Sequence, residues 1–316
     1  MVLYVWPQKI PMKQKNSGTV NSTYPIIDLV TRCNQKCLFC SNIPGSKPVK
    51  PDLAQLEAML ASGADTLRIG FWEPTLSDEL PELVRFARKA GFEKIQVRTN
   101  GVRLSDLSFT RALLEAGVTT FHLNFPSHLA GLSDHITQSK GSYERRIKGI
   151  RNIIRLGGGN KLCLLFVINS LNYATMEQYA SFIAENFPGV LNVLFNMVCI
   201  LGIVPETLSL VPHFPQIEPH LAAAARVCGN SGLKYMIDDV PLCYMKGFEA
   251  ASVDSHILRS GQNIKIDKVK PPRCASCALT RECAGIRSQY LEFYGAGELR
   301  PVRSSAPRKP ASRGKK

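Results

Sequence analysis

The chain has 316 residues, 45% of them hydrophobic and 20% charged, with a formal net charge of +14. That balance supports a packed core and excludes global disorder, and the length suits one large domain plus a small one. No apolar run is long enough to span a membrane, and the start at Met1 lacks the basic region and long apolar stretch of a signal peptide, so a cytoplasmic protein without membrane attachment is expected. Residues 1–24 mix apolar and polar types without period and read as an irregular lead-in. Pro25-Ile26-Ile27-Asp28-Leu29-Val30 then reads as a buried strand. A helix is expected over Asp52 to Leu60 with Asp52 as its cap, and a strand over Ala64 to Gly70. Ser77 is expected to cap a helix running to about Ala90, followed by a strand over Lys94 to Arg98. A helix over Ser105 to Ala116 and a strand over Thr119 to Asn124 come next. The same unit recurs as helix Ser142 to Leu156 and strand Lys161 to Ile168, then helix Thr175 to Asn186 and strand Val190 to Val198. A long loop leads to a helix over Gln216 to Cys228 and a last strand over Leu233 to Ile237. About six strand–helix units with short, glycine-marked connections imply an α/β fold with a parallel sheet and helices outside.

Cysteine usage points to metal chemistry. Ten cysteines in an intracellular chain do not suggest a disulfide framework. Cys33, Cys37 and Cys40 fall within eight residues as C-x3-C-x2-C, just after the first strand. Structural zinc takes four protein ligands, and catalytic zinc takes three, usually with histidine among them. Three thiolates alone suit a 4Fe–4S cluster with one iron left open. Ordinary thiols, or half of a zinc knuckle, are the alternatives on the octapeptide alone. Cys163, Cys199 and Cys228 lie in apolar runs and read as small buried hydrophobes.

With Phe39 just before the last cysteine, the octapeptide resembles the cluster motif of the radical S-adenosylmethionine (radical SAM) superfamily. That resemblance implies a partial (β/α)6 TIM-like barrel. It also implies that the open iron chelates the methionyl end of SAM, and that one electron cleaves the sulfonium to give a 5′-deoxyadenosyl radical. Functional ends of parallel strands are their C-terminal ends, where the cysteine loop falls. The second strand ends Gly70-Phe71-Trp72-Glu73-Pro74-Thr75-Leu76, which looks like the family's G-G-E-P-T-L segment with two aromatics in place of two glycines. The resemblance assigns Gly70, Glu73 and Pro74 to binding the SAM ammonium, for which carbonyls and a carboxylate are suitable acceptors. Thr99 and Asn100, within Thr99-Asn100-Gly101, and then Asn124, Ser127 and Asn169, with Asn172 beside it, are assigned to SAM in the same way. His128 and His135 are candidate general acids or bases. No G-x-x-x-x-G-K-S/T loop occurs, which disfavours a nucleotide triphosphatase.

After Asp238 the alternation stops. Cys243 is followed by Cys274-Ala275-Ser276-Cys277 and Cys283, which resembles the core of the SPASM type of auxiliary domain in radical SAM enzymes. The full form carries another cysteine where this chain has Arg287, so the shorter twitch form with a single second 4Fe–4S cluster is expected. Zinc on the same four thiolates is the rival. The expected organisation is lead-in 1–24, barrel 25–237, small cysteine-rich C-terminal domain 238–301 and a basic disordered tail 302–316 that includes Arg308, Lys309, Lys315 and Lys316. The resemblance implies a flavodoxin or ferredoxin-type electron donor. It also implies a hydrogen abstracted from a peptide or protein side chain, as in maturases. The alternative is a small molecule such as a sugar or nucleotide precursor. A different class, a non-catalytic iron–sulfur regulatory protein using the tail on nucleic acid, does not need the Glu73 and Asn100 motifs.

Overall fold

The computed structural model describes residues 26–42, 52–70, 72–261 and 267–303. The lead-in, Phe71 and most of the basic tail lie outside these described residues. Seven strands form one sheet in sequence order, every neighbouring pair parallel. They are β1 (Ile26–Ile27), β2 (Thr66–Ile69), β3 (Lys94–Thr99), β4 (Thr120–Asn124), β5 (Leu162–Ile168), β6 (Asn192–Met197) and β7 (Tyr235–Asp238). Between them run α1 (Leu53–Ala61), α2 (Leu80–Ala90), α3 (Leu107–Ala116), α4 (Ala130–Thr137), α5 (Ser142–Arg155), α6 (Met176–Asn186) and α7 (Phe214–Ser231). Among the described residues β1 and β7 do not pair, so the barrel is partial and open on that side. No helix of the described residues is long and apolar enough to cross a membrane.

Strands β2, β3, β4 and β6 alternate. Leu67 and Ile69, Ile95 and Val97, Phe121 and Leu123, and Val193 and Phe195 are buried in the layer between sheet and helices. The residues between them, Arg68, Gln96, Arg98, His122 and Asn196, face the lumen. Period-two alternation of this kind places an apolar layer outside the strands and a polar lining inside them.

Helix starts differ from the sequence reading at two points. Asp52 does cap α1: its Oδ1 accepts from Gln55 N at 2.8 Å, and Gln55 Oε1 accepts from Asp52 N at 3.1 Å, a capping box. Ser77, however, lies one turn before α2, which begins at Leu80 with Pro81 in its first turn and no side-chain cap. The α3 cap is Asp106 rather than Ser105, accepting from Ser108 N and Phe109 N. A carboxylate next to the first turn outcompetes the serine one residue upstream. Helix α4 was not expected, since it has no side-chain cap and begins Ala130-Gly131.

Beyond β7 come α8 (Val253–Arg259), an antiparallel pair β8 (Lys268–Val269) and β9 (Ile286–Arg287), and α9 (Ser288–Tyr294). A buried ionic knot ties this segment to the end of β7. Lys268 Nζ lies 2.7 Å from Asp239 Oδ1 and also pairs with Asp254, while Arg287 reaches Asp239 Oδ2 at 2.6 Å. Asp239 adopts a left-handed backbone (φ 61°) that turns its carboxylate into this knot. The neighbouring Asp238 differs: burial and the Asp239 carboxylate push its carboxyl up to about 7.

Because the folded value lies above the unfolded 3.8, the Asp238 contribution is full below about pH 4 and lost as pH rises through 7. Asp238→Asn should therefore gain on wild type by roughly 2–3 kcal/mol between pH 5 and pH 8. Urea unfolding at the two pH values measures this, and parallel pH profiles would refute it.

Candidate active site

The loop after β1 is fixed from four sides. Lys36 N and Leu38 N donate to Thr137 O and Ile136 O at the end of α4, at 3.2 and 2.9 Å. Glu73 N donates to Arg32 O, and Ile203 N donates to Cys40 O, each at 3.2 Å. Close approach of the β6–α7 segment requires Gly202: a Cβ there would sit 2.3 Å from Cys40 O, and its φ is +63°. These anchors hold the Cys33, Cys37 and Cys40 thiols at the rim of one cavity of about 180 Å³. Burial pushes the Cys37 thiol up to about 12, and the Cys33 thiol is raised by the same cause. Without a cation, the Cys33 and Cys37 thiols in this environment stay protonated; bound iron or zinc would reverse that.

Glu73 is the neighbouring keystone. It is 2% exposed, yet its carboxylate accepts from Thr75 N (3.1 Å), Thr75 Oγ1 (2.5 Å), Thr99 Oγ1 (2.7 Å) and Asn100 N (2.6 Å). Burial raises its carboxyl, while the Asn100 N–H and the threonine donors pull the other way. Asn100 in turn donates from Nδ2 to Asn34 Oδ1 at 2.6 Å and lies 3.7 Å from Cys33 Sγ. Behind the loop stands Arg146 of α5, fully buried. It donates to Asn100 O (2.9 Å), Ser133 Oγ (2.8 Å) and Gln35 Oε1 (3.5 Å). Burial brings its guanidinium down to about 10, and the Cys37 thiolate form would favour its charge. The sequence reading missed Arg146. Its only local signal was an arginine on the apolar stripe of α5, next to Ile147, Ile150 and Ile153.

Expected site residues divide by position. Phe39, Glu73, Thr99, Asn100 and Asn124 line the cavity with the three cysteines, as do Trp72, Gln35, Arg98 and Cys199. Gly70 lines the adjoining lower lumen. Pro74, Ser127 and Asn169 are buried outside it: Ser127 Oγ accepts from Leu129 N, and Asn169 Oδ1 accepts from Leu171 N, so both lock turns. Asn172 is engaged with Asn169 N and Pro126 O. Neither histidine lines the cavity. His128 packs against Tyr179 and Phe182, where burial lowers its imidazole, and His135 is exposed on α4. Cys163 and Cys228 are buried as expected, whereas Cys199 is half-buried and borders the cavity, its thiol held up at about 11 by burial.

Two buried polar atoms on residues lining the cavity have no partner: Asn124 Oδ1 and Gln35 Nε2. An orphaned acceptor and an orphaned donor beside three thiols suit a polar ligand bound together with a cluster, the donor set that SAM on an open iron would need. The family model for the Radical SAM superfamily matches residues 27–183, from β1 through α6. The chain carries a radical SAM domain.

Curated relatives of this chain are distant. It is 27% identical over 192 residues to a 7,8-dihydro-6-hydroxymethylpterin dimethyltransferase of Methanocaldococcus jannaschii, covering 57% of this chain and 37% of that protein. It is 28% identical over 136 residues to a probable GTP 3′,8-cyclase of Methanocella arvoryzae, covering 42% of this chain and 43% of the relative. It thus spans less than half the length of either. In fold it is similar to anSMEcpe with bound AdoMet, at TM-score 0.54 and 15% identity over 77% of this chain and 69% of that one.

In the C-terminal segment, Cys243, Cys274, Cys277 and Cys283 of this radical SAM chain line a second, smaller cavity. Burial pushes the Cys243 thiol up to about 11, and Cys283 and Cys274 add to it by repulsion between thiolates. Backbone N–H groups point at the sulfurs: Gly285 N to Cys283 Sγ at 3.4 Å and Val302 N to Cys277 Sγ at 3.3 Å. Among the described residues no three cysteine sulfurs lie within 4.8 Å of one another.

Gly202→Ala should displace the Cys40 end of the loop. The expected cost is about 1–3 kcal/mol in urea unfolding of the metal-free chain, with less iron retained after reconstitution. Wild-type iron retention would refute the role given to this close approach.

Proposed function

We propose that the chain is a radical SAM enzyme whose thiolates Cys33, Cys37 and Cys40 hold a 4Fe–4S cluster, and that it takes a hydrogen atom from a substrate seated in the barrel lumen. The observation that carries this reading is the three-thiol rim of one cavity, two of whose lining residues, Asn124 and Gln35, carry a buried polar atom without a partner. When bound, the cluster and SAM supply an electron and a 5′-deoxyadenosyl radical, the hard step that side chains alone do not perform. The chain supplies position and dryness. Glu73 fixes Thr99 and Asn100 in one arrangement, Asn100 and Asn124 offer donors and acceptors for ribose or amino-acid groups, and Phe39 and Trp72 exclude water from the mouth. A flavodoxin or ferredoxin, the usual donors in this family, would reduce the cluster.

For the C-terminal cysteines, residues 238–301 are read as an auxiliary-cluster domain of the twitch type. Tetrahedral zinc with Zn–S bonds of about 2.3 Å would bring its sulfurs to about 3.8 Å apart. The four thiols with backbone N–H groups beside two of them suit either metal, and the resemblance to the auxiliary domain favours a second 4Fe–4S cluster, whose thiolates would sit on separate irons.

The lumen is walled by strands, so it admits a small molecule or one side chain. A small polar molecule is the reading that its polar lining favours. The printed activities of the relatives, on a pterin and on GTP, agree with that size class. A peptide side chain is the second reading. It is favoured by Leu129, Leu171, Leu201 and Ile203, exposed hydrophobics on the segments after β4, β5 and β6, where flanking peptide residues would rest.

Anaerobically reconstituted protein, given SAM and dithionite, should form 5′-deoxyadenosine, and Cys37→Ala should abolish it. Product formation that survives Cys37→Ala would overturn the reading. Iron analysis should give about eight irons per chain, falling to about four in Cys274→Ala/Cys277→Ala. About four irons with zinc in the wild type would replace the second cluster by a zinc site.

A further inference from the structure

Below the cysteine cavity, and continuous with it through Arg98, Leu165 and Asn196, lies a second chamber of about 310 Å³. Radical generation makes no use of its charges. Arg68 from β2, Arg98 from β3 and His122 from β4 line one wall, and Asp238 from β7 stands on another. Arg98 is exposed by area, yet desolvation still pulls its guanidinium down. Both facts hold for a side chain that projects into the chamber it lines. Among the described residues, no carboxylate forms an ion pair with Arg98. Arg68 Nε donates to Gln96 Oε1 at 3.1 Å, which orients its planar head beside the same wall.

The wall is positive in sum. His122 is driven down to about 4 by burial and by both arginines, so it stays neutral and adds no competing charge at pH 7. Cys163, paired in register with His122, is held protonated by burial, its thiol near 12. The carboxylate facing the chamber, Asp238, holds its proton to about pH 7. A guanidinium kept out of bulk water and without a carboxylate partner is costly unless an anion joins it. Its planar fork matches the two oxygens of a carboxylate or phosphate.

We propose that the lower chamber is an anion subsite, in which Arg98, supported by Arg68 and His122, anchors a phosphate or carboxylate of the substrate while the rest of the molecule extends up toward the cysteine rim. The inference rests on reading the lumen as the substrate chamber, and it narrows that substrate to an anionic molecule. An uncharged sugar or a lysine side chain would leave Arg98 without an ion-pair partner among the described residues.

The test is titration calorimetry of the full reconstituted chain with two probes, inorganic phosphate and malonate, at constant ionic strength. At least one should bind saturably. Arg98→Gln should weaken it by about ten-fold or more, the loss of a charge-assisted contact, and Arg98→Lys by no more than about three-fold. Phosphate binding alone marks a phosphorylated substrate, and malonate binding alone a carboxylate. In the wild type the His122 imidazole signal, titrating near 4 in the free protein, should titrate higher with the anion bound. That readout needs no variant to fold. Absence of saturable binding by both probes, or unchanged affinity in Arg98→Gln, overturns the subsite. Formation of 5′-deoxyadenosine is scored separately: if it appears and the anions do not bind, the subsite falls and the enzyme reading stands. If the anions bind through Arg98 and no 5′-deoxyadenosine appears, the reverse holds.

Discussion

One buried carboxylate organises the functional end of the barrel. Glu73, in the turn after β2, accepts hydrogen bonds from Thr75 of the same turn and from Thr99 and Asn100 at the end of β3. A carboxylate this deep is tolerated only because its oxygens are filled by donors. Those donors are then no longer free to move. Asn100, fixed by its backbone N–H to Glu73, carries the side chain that reaches Asn34 and the Cys33 sulfur, while its carbonyl receives Arg146. The cysteine loop has no regular secondary structure. Its shape comes from these contacts and from α4 and Gly202, so cluster geometry is a property of four strand ends rather than of the octapeptide.

The open barrel explains why there is a chamber at all. A closed eight-stranded barrel fills its interior with bulky branched side chains in layers. Here the strands give their apolar residues to the helix side, and the lumen receives Arg68, Gln96, Arg98, His122, Asn196 and Asp238. Polar side chains held by strands on all but one side do not collapse into a core. They keep a wet space whose electrostatics are set by the arginines, and the same arginines keep His122 neutral. The upper and lower chambers share Arg98, which therefore senses both the radical-generating end and whatever binds below.

Much of this was legible in the sequence. Apolar runs and glycine stops gave all seven strands and most helices to within a few residues, because a two-sided parallel sheet must be apolar on its helix face. The C-x3-C-x2-C loop and Glu73 were legible because metal ligation and the turn after β2 both need particular residue types at short range. Helix α4 was not, since it begins on Ala-Gly without a cap and is stabilised by docking against the cysteine loop. Arg146 and Arg98 were not, because their significance lies in contacts some 50 to 110 residues away, or in a cavity wall assembled from several strands. Ser127 and Asn169 lie outside the cavity lining: residue types suited to a ribose are equally suited to closing turns, and here they close turns.

Arg287 links the C-terminal cysteine segment to the end of β7. It stands where a longer cysteine series would place another thiol, and its guanidinium instead enters the ionic knot at Asp239. That position fastens the C-terminal segment to β7. Cys199, which borders the upper cavity, lies 3.9 Å from the same Asp239 carboxylate. The knot therefore stands against the cysteine rim on one side and the hairpin beneath the second thiol set on the other. A change of charge at Asp239 or Lys268 would be felt at both, because buried ionic groups interact over distances at which surface charges are screened. The C-terminal segment is thus electrostatically part of the barrel's active end, and not an appendage to it.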